Sequence, residues 1–408
     1  MKVTGPTVTV DRDIAVWQCQ VTLKDGRSRP LFYSVPSEHR DLLTDRIDAA
    51  LVGLIIPAMD RGEDLHLEGP VSVDLLHQVQ TDYAYLLTLL YDTPGEVKVS
   101  SEEVASMTAP ASGVATGFSG GVDSFSTLAD HYFSNIPDSL RISHLLFNNV
   151  GSHGLGGERL FRQRYERLIP VAEKLNLPFI PVNSNLDSFN EYGFELNEPP
   201  RNASVPLLLQ QGIGRFLHSS AYPYPEVGVH SGSLHAATHA DPITLPLLST
   251  SRVRMFPAGV RYTRSEKTMQ IAELPLTHTS LDVCVSLGRS DSGPPNCSAC
   301  WKCLRTLLTL EIGGVLDRYE AVFDLDIYRR RREWYMASVL ASRDSLSRDI
   351  LAFARARGFS FPSSARALAP LALASPILKR HGRQLAPEWI KNRARSIQQN
   401  SSTAHYPL

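Results

Sequence analysis

The stretch 115-ATGFSGGVDSFSTLADHYF-133 decides how the whole chain is interpreted. The apolar run that ends at Phe118 has the composition of a short buried strand. From Val122 onward, apolar residues recur at the three- and four-residue spacing of one helix face. The residues 119-SGGVDS-124 therefore form the turn between a strand and a helix.

This turn has the composition of a phosphate-binding loop. Gly120 and Gly121 permit backbone conformations that side chains forbid, and they let a ligand approach the main chain. Free N–H groups at a helix N-terminus attract anions, and the hydroxyls of Ser119 and Ser124 add donors. Asp123 would repel a phosphate unless it holds a divalent cation that bridges phosphates. An ordinary glycine turn with an N-cap is the weaker alternative, and the Gly-Lys-Ser/Thr ending of a Walker loop is absent.

Short apolar runs alternate with helical patterns from about residue 113 to 260. This alternation predicts an α/β core with a parallel sheet covered by helices. Within it we expect a helix at about 203–219 and a strand in EVGVHSG, whose carboxyl end would place Ser231, Gly232 and His235 in a substrate pocket.

Three regions follow from the pattern. Residues 1–105, with a hairpin at 13–35, predict a small α+β domain. Residues 113–313 form the expected core with its cysteines, and residues 314–408 predict a helical extension rich in Arg and Ala.

Four of the five cysteines fall within twenty residues. Cys297, Cys300 and Cys303 form a C-x2-C-x2-C run, and Cys284 lies thirteen residues upstream. Four thiolates suffice for a closed tetrahedral zinc site, so we predict structural Zn²⁺ here. Buried free cysteines, or a catalytic pair that carries sulfur, are the alternatives.

The SGGVDS loop resembles the signature of the PP-loop, or N-type, ATP pyrophosphatases, which cleave ATP between its α and β phosphates. With the late cysteine cluster, the chain looks like the QueC family, the 7-cyano-7-deazaguanine synthases, over about residues 114–312. The runs HLLFNNVGSHG, RNAS and RYTRSEKTMQIAEL agree in order, whereas HSGSLHAATHADP departs from the family. Enlarged QueC-like proteins occur in antiphage defence systems and biosynthetic clusters. This chain resembles those enlarged proteins more closely than an ordinary QueC protein.

The resemblance implies a Rossmann-like HUP fold and an ATP-dependent ligase. Ser119, Gly120, Gly121, Val122, Asp123 and Ser124 would bind ATP. Asp123 would hold Mg²⁺, and Lys267 and Arg201 would offset charge on the leaving pyrophosphate. The acceptor would be a small carboxylate, deazaguanine among them, or a peptide or protein, and ammonia or an amine would displace AMP.

Two other functions remain open at this point. A tRNA-thiolating or other RNA-modifying enzyme would use the same ATP chemistry. A nucleotide-binding subunit would instead dock partner proteins through the two extensions. RNA and partner proteins therefore stay open as binding partners beside a small-molecule acceptor.

The other polar clusters are weaker indications of function. For His230, His235 and His239 we favour pocket lining over a metal site, and for His153 a nucleotide contact and a solvated loop are about equal. The run 329-RRRR-332 favours a solvated helical face over an RNA contact, because the net charge is −1.

There is no run of 18 apolar residues and no apolar leader, so we expect no membrane contact and a cytoplasmic location.

Overall fold

Two compact units make up the chain, Met1–Val283 and Cys284–Leu408. The computed structural model describes residues 1–92, 95–154, 156–191, 193–231, 235–285 and 293–373. The end of the predicted helical extension, residues 374–408, lies outside the described residues, as does Gly232.

The first unit is built on one ten-stranded sheet. Its strands are β1 (Lys2–Asp11), β2 (Ile14–Thr22), β3 (Ser28–Pro36), β4 (Leu65–Ser72), β5 (Val99–Ala105), β6 (Gly113–Gly117), β7 (His144–Asn149), β8 (Phe179–Ser184), β9 (Ile213–Ser219) and β10 (Arg254–Ala258). Their order across the sheet is β10-β9-β6-β7-β8-β3-β2-β1-β4-β5.

Helices connect most of these strands. They are α1 (Asp48–Asp60), α2 (Val73–Gln78), α3 (Ala84–Tyr91), α4 (Val122–Leu128), α5 (Glu158–Leu175), α6 (Glu198–Leu208), α7 (Ala236–His239), α8 (Asp241–Leu247), α9 (Arg264–Ala272) and α10 (Pro275–Ser280). A π-helical segment joins α2 to α3, and another extends α4 through Phe133. Over the described part of the chain, no helix has the length and apolarity needed to cross a membrane.

Five neighbouring strands form the parallel core that the alternating pattern predicts. All four contacts along β10-β9-β6-β7-β8 are parallel. Counted in chain order from β6, this is the arrangement 3-2-1-4-5 of Rossmann-like sheets. The α/β prediction is therefore confirmed at this level. The order reverses between β6 and β9, where such sheets open a crevice at their carboxyl ends.

The N-terminal strands continue the same sheet. The predicted hairpin is confirmed by β2 and β3, and β3 then pairs antiparallel with β8 through Tyr33–Ser184 and Ser34–Asn183. The Tyr33 hydroxyl also donates to Ser204 Oγ at 2.9 Å. Because the sheet crosses it, the division predicted near residue 105 falls inside the first compact unit.

The segment before the crevice differs from the prediction. The expected helix at 203–219 is wrong beyond Leu208, where α6 ends, and the expected strand in EVGVHSG is wrong because β9 precedes it. The physical reason is Gly214: a Cβ at this position would lie 1.9 Å from the carbonyl oxygen of Ala111. Glycine thus lets the chain approach the neighbouring backbone closely and begin a strand.

The second unit is helical over its described part. It contains α11 (Trp301–Ile312), α12 (Leu325–Ala341) and α13 (Ser345–Ala356). Leu308, Met336 and Ile350, one from each helix, are buried in a shared apolar cluster. The predicted helical character of this region is confirmed for the residues that the structure describes.

The close approach at Gly214 can be tested by adding one methyl group. We expect Gly214→Ala to lower the free energy of unfolding by about 1–3 kcal/mol, because its Cβ would overlap a backbone oxygen that cannot rotate away. Gly117→Ala, in the neighbouring strand, is the control, since its Cβ would meet no heavy atom within 4 Å. Urea unfolding measures both, and equal losses would contradict the assignment.

Candidate functional site

The loop 119-SGGVDS-124 leaves the carboxyl end of β6 and enters α4. Gly120 has φ +73°, a conformation that favours glycine, and its Cβ would lie 2.6 Å from Leu168 Cδ2. Its carbonyl accepts a hydrogen bond from the amide of Asp282 at 2.8 Å. Glycine at this position therefore lets the loop turn while it stays fixed to the body of the unit.

The backbone amides of this loop are the next feature of the site. Among the residues that the structure describes, none accepts a hydrogen bond from the N–H groups of residues 119–124. The Ser124 hydroxyl donates to the Gly121 carbonyl at 3.0 Å. Successive free amides around a left-handed glycine form a concave surface of partial positive charge, which suits an anion.

Two cations converge on Asp123 beside this loop. Arg264 donates to Oδ2 at 2.5 Å, and Lys267 Nζ donates to Oδ1 at 3.1 Å. Burial alone would raise the pKa of Asp123, but the charges and hydrogen bonds of Arg264 and Lys267 outweigh it and the pKa is lowered. The carboxylate is therefore ionised and holds both cations near the loop.

Lys267 is the buried member of the group, with its side chain 1% exposed. It lies on α9, which starts with a capping box formed by Thr263 and Glu266. Its ammonium also donates to the carbonyl of Ser220, and Gly259 leaves room for its Cε and Nζ atoms. Burial lowers the pKa of Lys267, and the Asp123 charge opposes that shift.

The loop and Lys267 meet at the strand-order reversal. Ser220 directly follows β9, the neighbour of β6. Thr127 of α4 contacts Ser219, the last residue of β9, at 2.8 Å between hydroxyl oxygens. The loop, the two cations and the end of β9 therefore share the crevice that the sheet topology creates.

A buried acid–histidine cluster adjoins Lys267 through Ser220. The Ser220 hydroxyl donates to Asp241 Oδ1 at 3.2 Å, and His218 Nε2 lies 3.5 Å from Asp241 Oδ2 and 3.7 Å from Glu198 Oε2. Burial raises the pKa of Asp241 to about 7, although the nearby His218 opposes the shift. Sequence reasoning missed this cluster because it placed the strand too late in the chain. The signal was the short segment 213-IGRFLHS-219, in which Ile213, Phe216 and Leu217 are apolar and Gly214 breaks the helical pattern.

Arg201 occupies another part of the carboxyl edge. It is buried, and its NH1 donates to Asp187 Oδ1 at 2.5 Å and to the Val150 carbonyl at 3.3 Å. Gly151 makes room for this guanidinium, because a Cβ there would lie 2.2 Å from NH1. Arg201 is thus held in an ion pair after β7, and its predicted contact with pyrophosphate stays a prediction.

The predicted histidines pack mainly against rings and backbone. His153 lies against Phe147 and Phe161, and burial lowers its pKa to about 4. His239 stacks on Tyr222 with ring centres 3.7 Å apart, and His230 meets His239 edge to face. Pocket lining by these residues stays a prediction.

The four predicted cysteine ligands come together in the second unit. All of their Sγ atoms lie within 4.8 Å of one another, with Cys300 at 3.4 Å from Cys303 and 4.0 Å from Cys284. The amide of Cys300 donates to Cys297 Sγ at 3.3 Å. Tetrahedral zinc with Zn–S bonds of about 2.3 Å requires sulfurs about 3.8 Å apart. The four thiols are thus close enough to hold a metal ion.

Comparisons with known proteins add no relative to this description. No protein-family model, no curated protein and no solved structure matches the chain.

The buried Asp241 predicts an unusual pH dependence of stability. Its folded pKa is raised to about 7 from an ordinary value near 3.8, so its ionisation destabilises the fold. This penalty is absent below pH 4, grows between pH 4 and 7, and is complete above pH 7. Relative to the wild type, Asp241→Asn should therefore gain roughly 4 kcal/mol of unfolding free energy between pH 4 and 8.

Urea unfolding at a series of pH values checks this prediction. Asp138→Asn, which removes a fully exposed carboxylate, is the control and should show no such gain. A pH-independent difference between Asp241→Asn and the wild type would show that Asp241 is ionised in the folded protein at pH 4–7.

Proposed function

We propose that the chain is an ATP-dependent ligase of the PP-loop ATP pyrophosphatase type, as its resemblance to the QueC family implies. It would adenylate a substrate carboxylate and then join the acyl group to ammonia or an amine. One observation carries the proposal: a glycine loop and two clustered cations meet at the strand-order reversal of a Rossmann-like sheet, and the loop amides have no acceptor in the described part of the chain.

The site fits a polyphosphate. The amides of residues 119–124 would donate hydrogen bonds to phosphate oxygens, and Lys267 and Arg264 supply two positive charges beside them. Asp123 keeps these cations in place before ATP arrives, so little reorganisation is needed when charge develops on the leaving group. Such preorganised electrostatic stabilisation is usually the largest contribution to this kind of catalysis. Arg264, which the sequence prediction left out, thereby joins Lys267 in the proposed role.

The proposed reaction has two displacements. A carboxylate oxygen of the acceptor attacks the α-phosphorus of ATP, the bond to the β-phosphate oxygen breaks, and pyrophosphate leaves with its electron pair. The nitrogen nucleophile then attacks the carbonyl carbon, AMP leaves and the nitrogen loses a proton. The chain's contribution to both steps is positioning and charge compensation.

Magnesium would enter with ATP as the partner of its phosphates, where it neutralises charge. Asp123 supplies the kind of hard oxygen that Mg²⁺ binds, but Arg264 and Lys267 already occupy both of its oxygens. The same carboxylate would therefore turn to the metal only as phosphates draw the two cations away. We assign it first to the positioning of Lys267 and Arg264.

The four cysteines would hold Zn²⁺ as a structural ion. Their sulfur spacings fit tetrahedral coordination, and the Cys300 amide stabilises the charge on a Cys297 thiolate. Four thiolates leave no open coordination position, so the ion would supply folding energy to the second unit and no chemistry.

Lys267→Met tests the ATP chemistry. With ATP, 7-carboxy-7-deazaguanine and ammonium, the wild type should release AMP and pyrophosphate in equal amounts. We expect the variant to lower kcat about 100- to 1000-fold, because a preorganised charge near the leaving group is lost. Formation of AMP from α-labelled ATP measures the rate.

Lys174→Met, at the end of α5, is the matched control and should keep full activity. If the wild type binds ATP but releases pyrophosphate only when RNA is present, the acceptor assignment is wrong and the RNA-modifying alternative holds. If ATP is neither bound nor cleaved, the proposed function itself fails.

Removal of one sulfur tests the metal centre. Cys300→Ser should reduce bound zinc from about one ion per chain to well below one and lower the melting temperature of the second unit, because metal binding and folding are coupled. Plasma mass spectrometry and differential scanning calorimetry measure the two effects. Cys19→Ala, at a buried cysteine of β2, should retain the zinc. Equal zinc contents in both variants would contradict the assignment.

A further inference from the structure

A cleft of about 430 Å³ in the second unit is lined in part by arginines that have no role in the proposed ligase chemistry. Leu304 of α11 and four residues of α12 line it, namely Arg330, Arg331, Trp334 and Tyr335. Residues one turn apart on a helix share a face. Helix α12 therefore presents two arginines and two aromatic rings to the same cleft.

The four consecutive arginines of α12 fall into two classes. Arg329 pairs with Asp326 at 2.8 Å, and Arg332 Nε donates to Glu311 Oε2 at 2.8 Å. For Arg330 and Arg331, the described part of the chain offers no carboxylate oxygen within 4 Å. The outer two arginines are thus paired with carboxylates, whereas the two that line the cleft have no such partner among the described residues.

Two exposed tryptophans accompany these charges. Trp334 lines the cleft and is 48% exposed, and Trp301 is 51% exposed. Trp301 lies one helical turn before the lining residue Leu304, so it stands beside the cleft. The guanidinium carbon of Arg305 is 4.9 Å from the Trp301 ring centre. Large rings left open to solvent beside cations are typical of binding surfaces.

We propose that this cleft, with Trp301, binds single-stranded nucleic acid. Arg330 and Arg331 would contact phosphates, and Trp301 and Trp334 would stack on unpaired bases. Sequence-tolerant single-strand sites combine these two elements, a positively charged groove and aromatic platforms. A duplex is disfavoured because its bases are stacked internally and their faces are out of reach of the rings. The assignment goes beyond the proposed ligase function and does not depend on it.

The local charge supports this assignment. The whole chain has a net charge of −1, but residues 293–373 carry 12 arginines and lysines against 8 aspartates and glutamates. The described residues of the second unit thus have a net charge of +4, the sign that attracts a polyanion. The net charge of the whole chain, from which a solvated face was predicted for the arginine run, does not reveal this local excess of positive charge.

Fluorescence anisotropy with a labelled 12-nucleotide oligouridylate and the full-length protein tests the proposal. Arg331→Gln should weaken binding about tenfold and reduce the slope of log K against log salt by about one, because one phosphate contact is lost. Arg329→Gln removes the same charge two positions away. It should weaken binding less than twofold, because Asp326 already compensates that charge.

Trp334→Leu tests stacking separately from charge. We expect about a tenfold loss for Leu and most of the affinity kept by Trp334→Phe, because phenylalanine retains a ring face. The exposed positions of these side chains predict unchanged circular dichroism and melting for all variants, so loss of binding will not reflect unfolding.

Three results would overturn the assignment. They are equal losses in Arg329→Gln and Arg331→Gln, no effect of Trp334→Leu, and displacement of the oligomer by AMP at equal nucleotide concentration. The last would identify a mononucleotide site in place of a single-strand site. None of these outcomes changes AMP and pyrophosphate release, so the ligase proposal is judged independently.

Discussion

The ion pair between Lys267 and Asp123 is the interaction on which the candidate site depends. An ammonium group removed from water is costly unless a counter-charge and hydrogen bonds compensate it, and here Asp123 and the carbonyl of Ser220 do so. These contacts connect α9, the loop after β6 and the end of β9. The same arrangement holds a positive charge beside loop amides that have no acceptor among the described residues, so its structural role and its proposed chemical role coincide.

Features encoded over a few residues could be predicted from the sequence. The loop at residues 119–124 has glycines whose conformations and contacts explain the motif, and the cysteine spacing places three sulfurs close together around the start of α11. The alternation of strands and helices likewise gave the α/β class with its mostly parallel sheet, because hydrophobic periodicity is a local property.

Contacts between distant segments could not be predicted in the same way. Arg264 lies 141 residues from Asp123, and its role follows from a crossover that no spacing in the sequence reveals. The pairing of Asp241 with His218 was missed because the strand that carries His218 was assigned to EVGVHSG. That error arose at Gly214, whose tight contact with Ala111 outweighs the helical pattern of the leucines before it. For Arg201, the resemblance of the RNAS run implied a phosphate contact, and the sequence gives no sign of the buried pair that Arg201 forms with Asp187.

The pairing of β3 with β8 has a consequence for how the chain is made. Strand β8 would otherwise be an open edge of the parallel core, and its partner comes from residues that leave the ribosome about 150 positions earlier. Until β8 is synthesised, the edge of β3 that pairs with it in the folded protein therefore has no partner strand. Removal of the first hundred residues would expose the β8 edge, where strands of other molecules could pair. By covering this edge, the N-terminal segment protects the parallel core against aggregation.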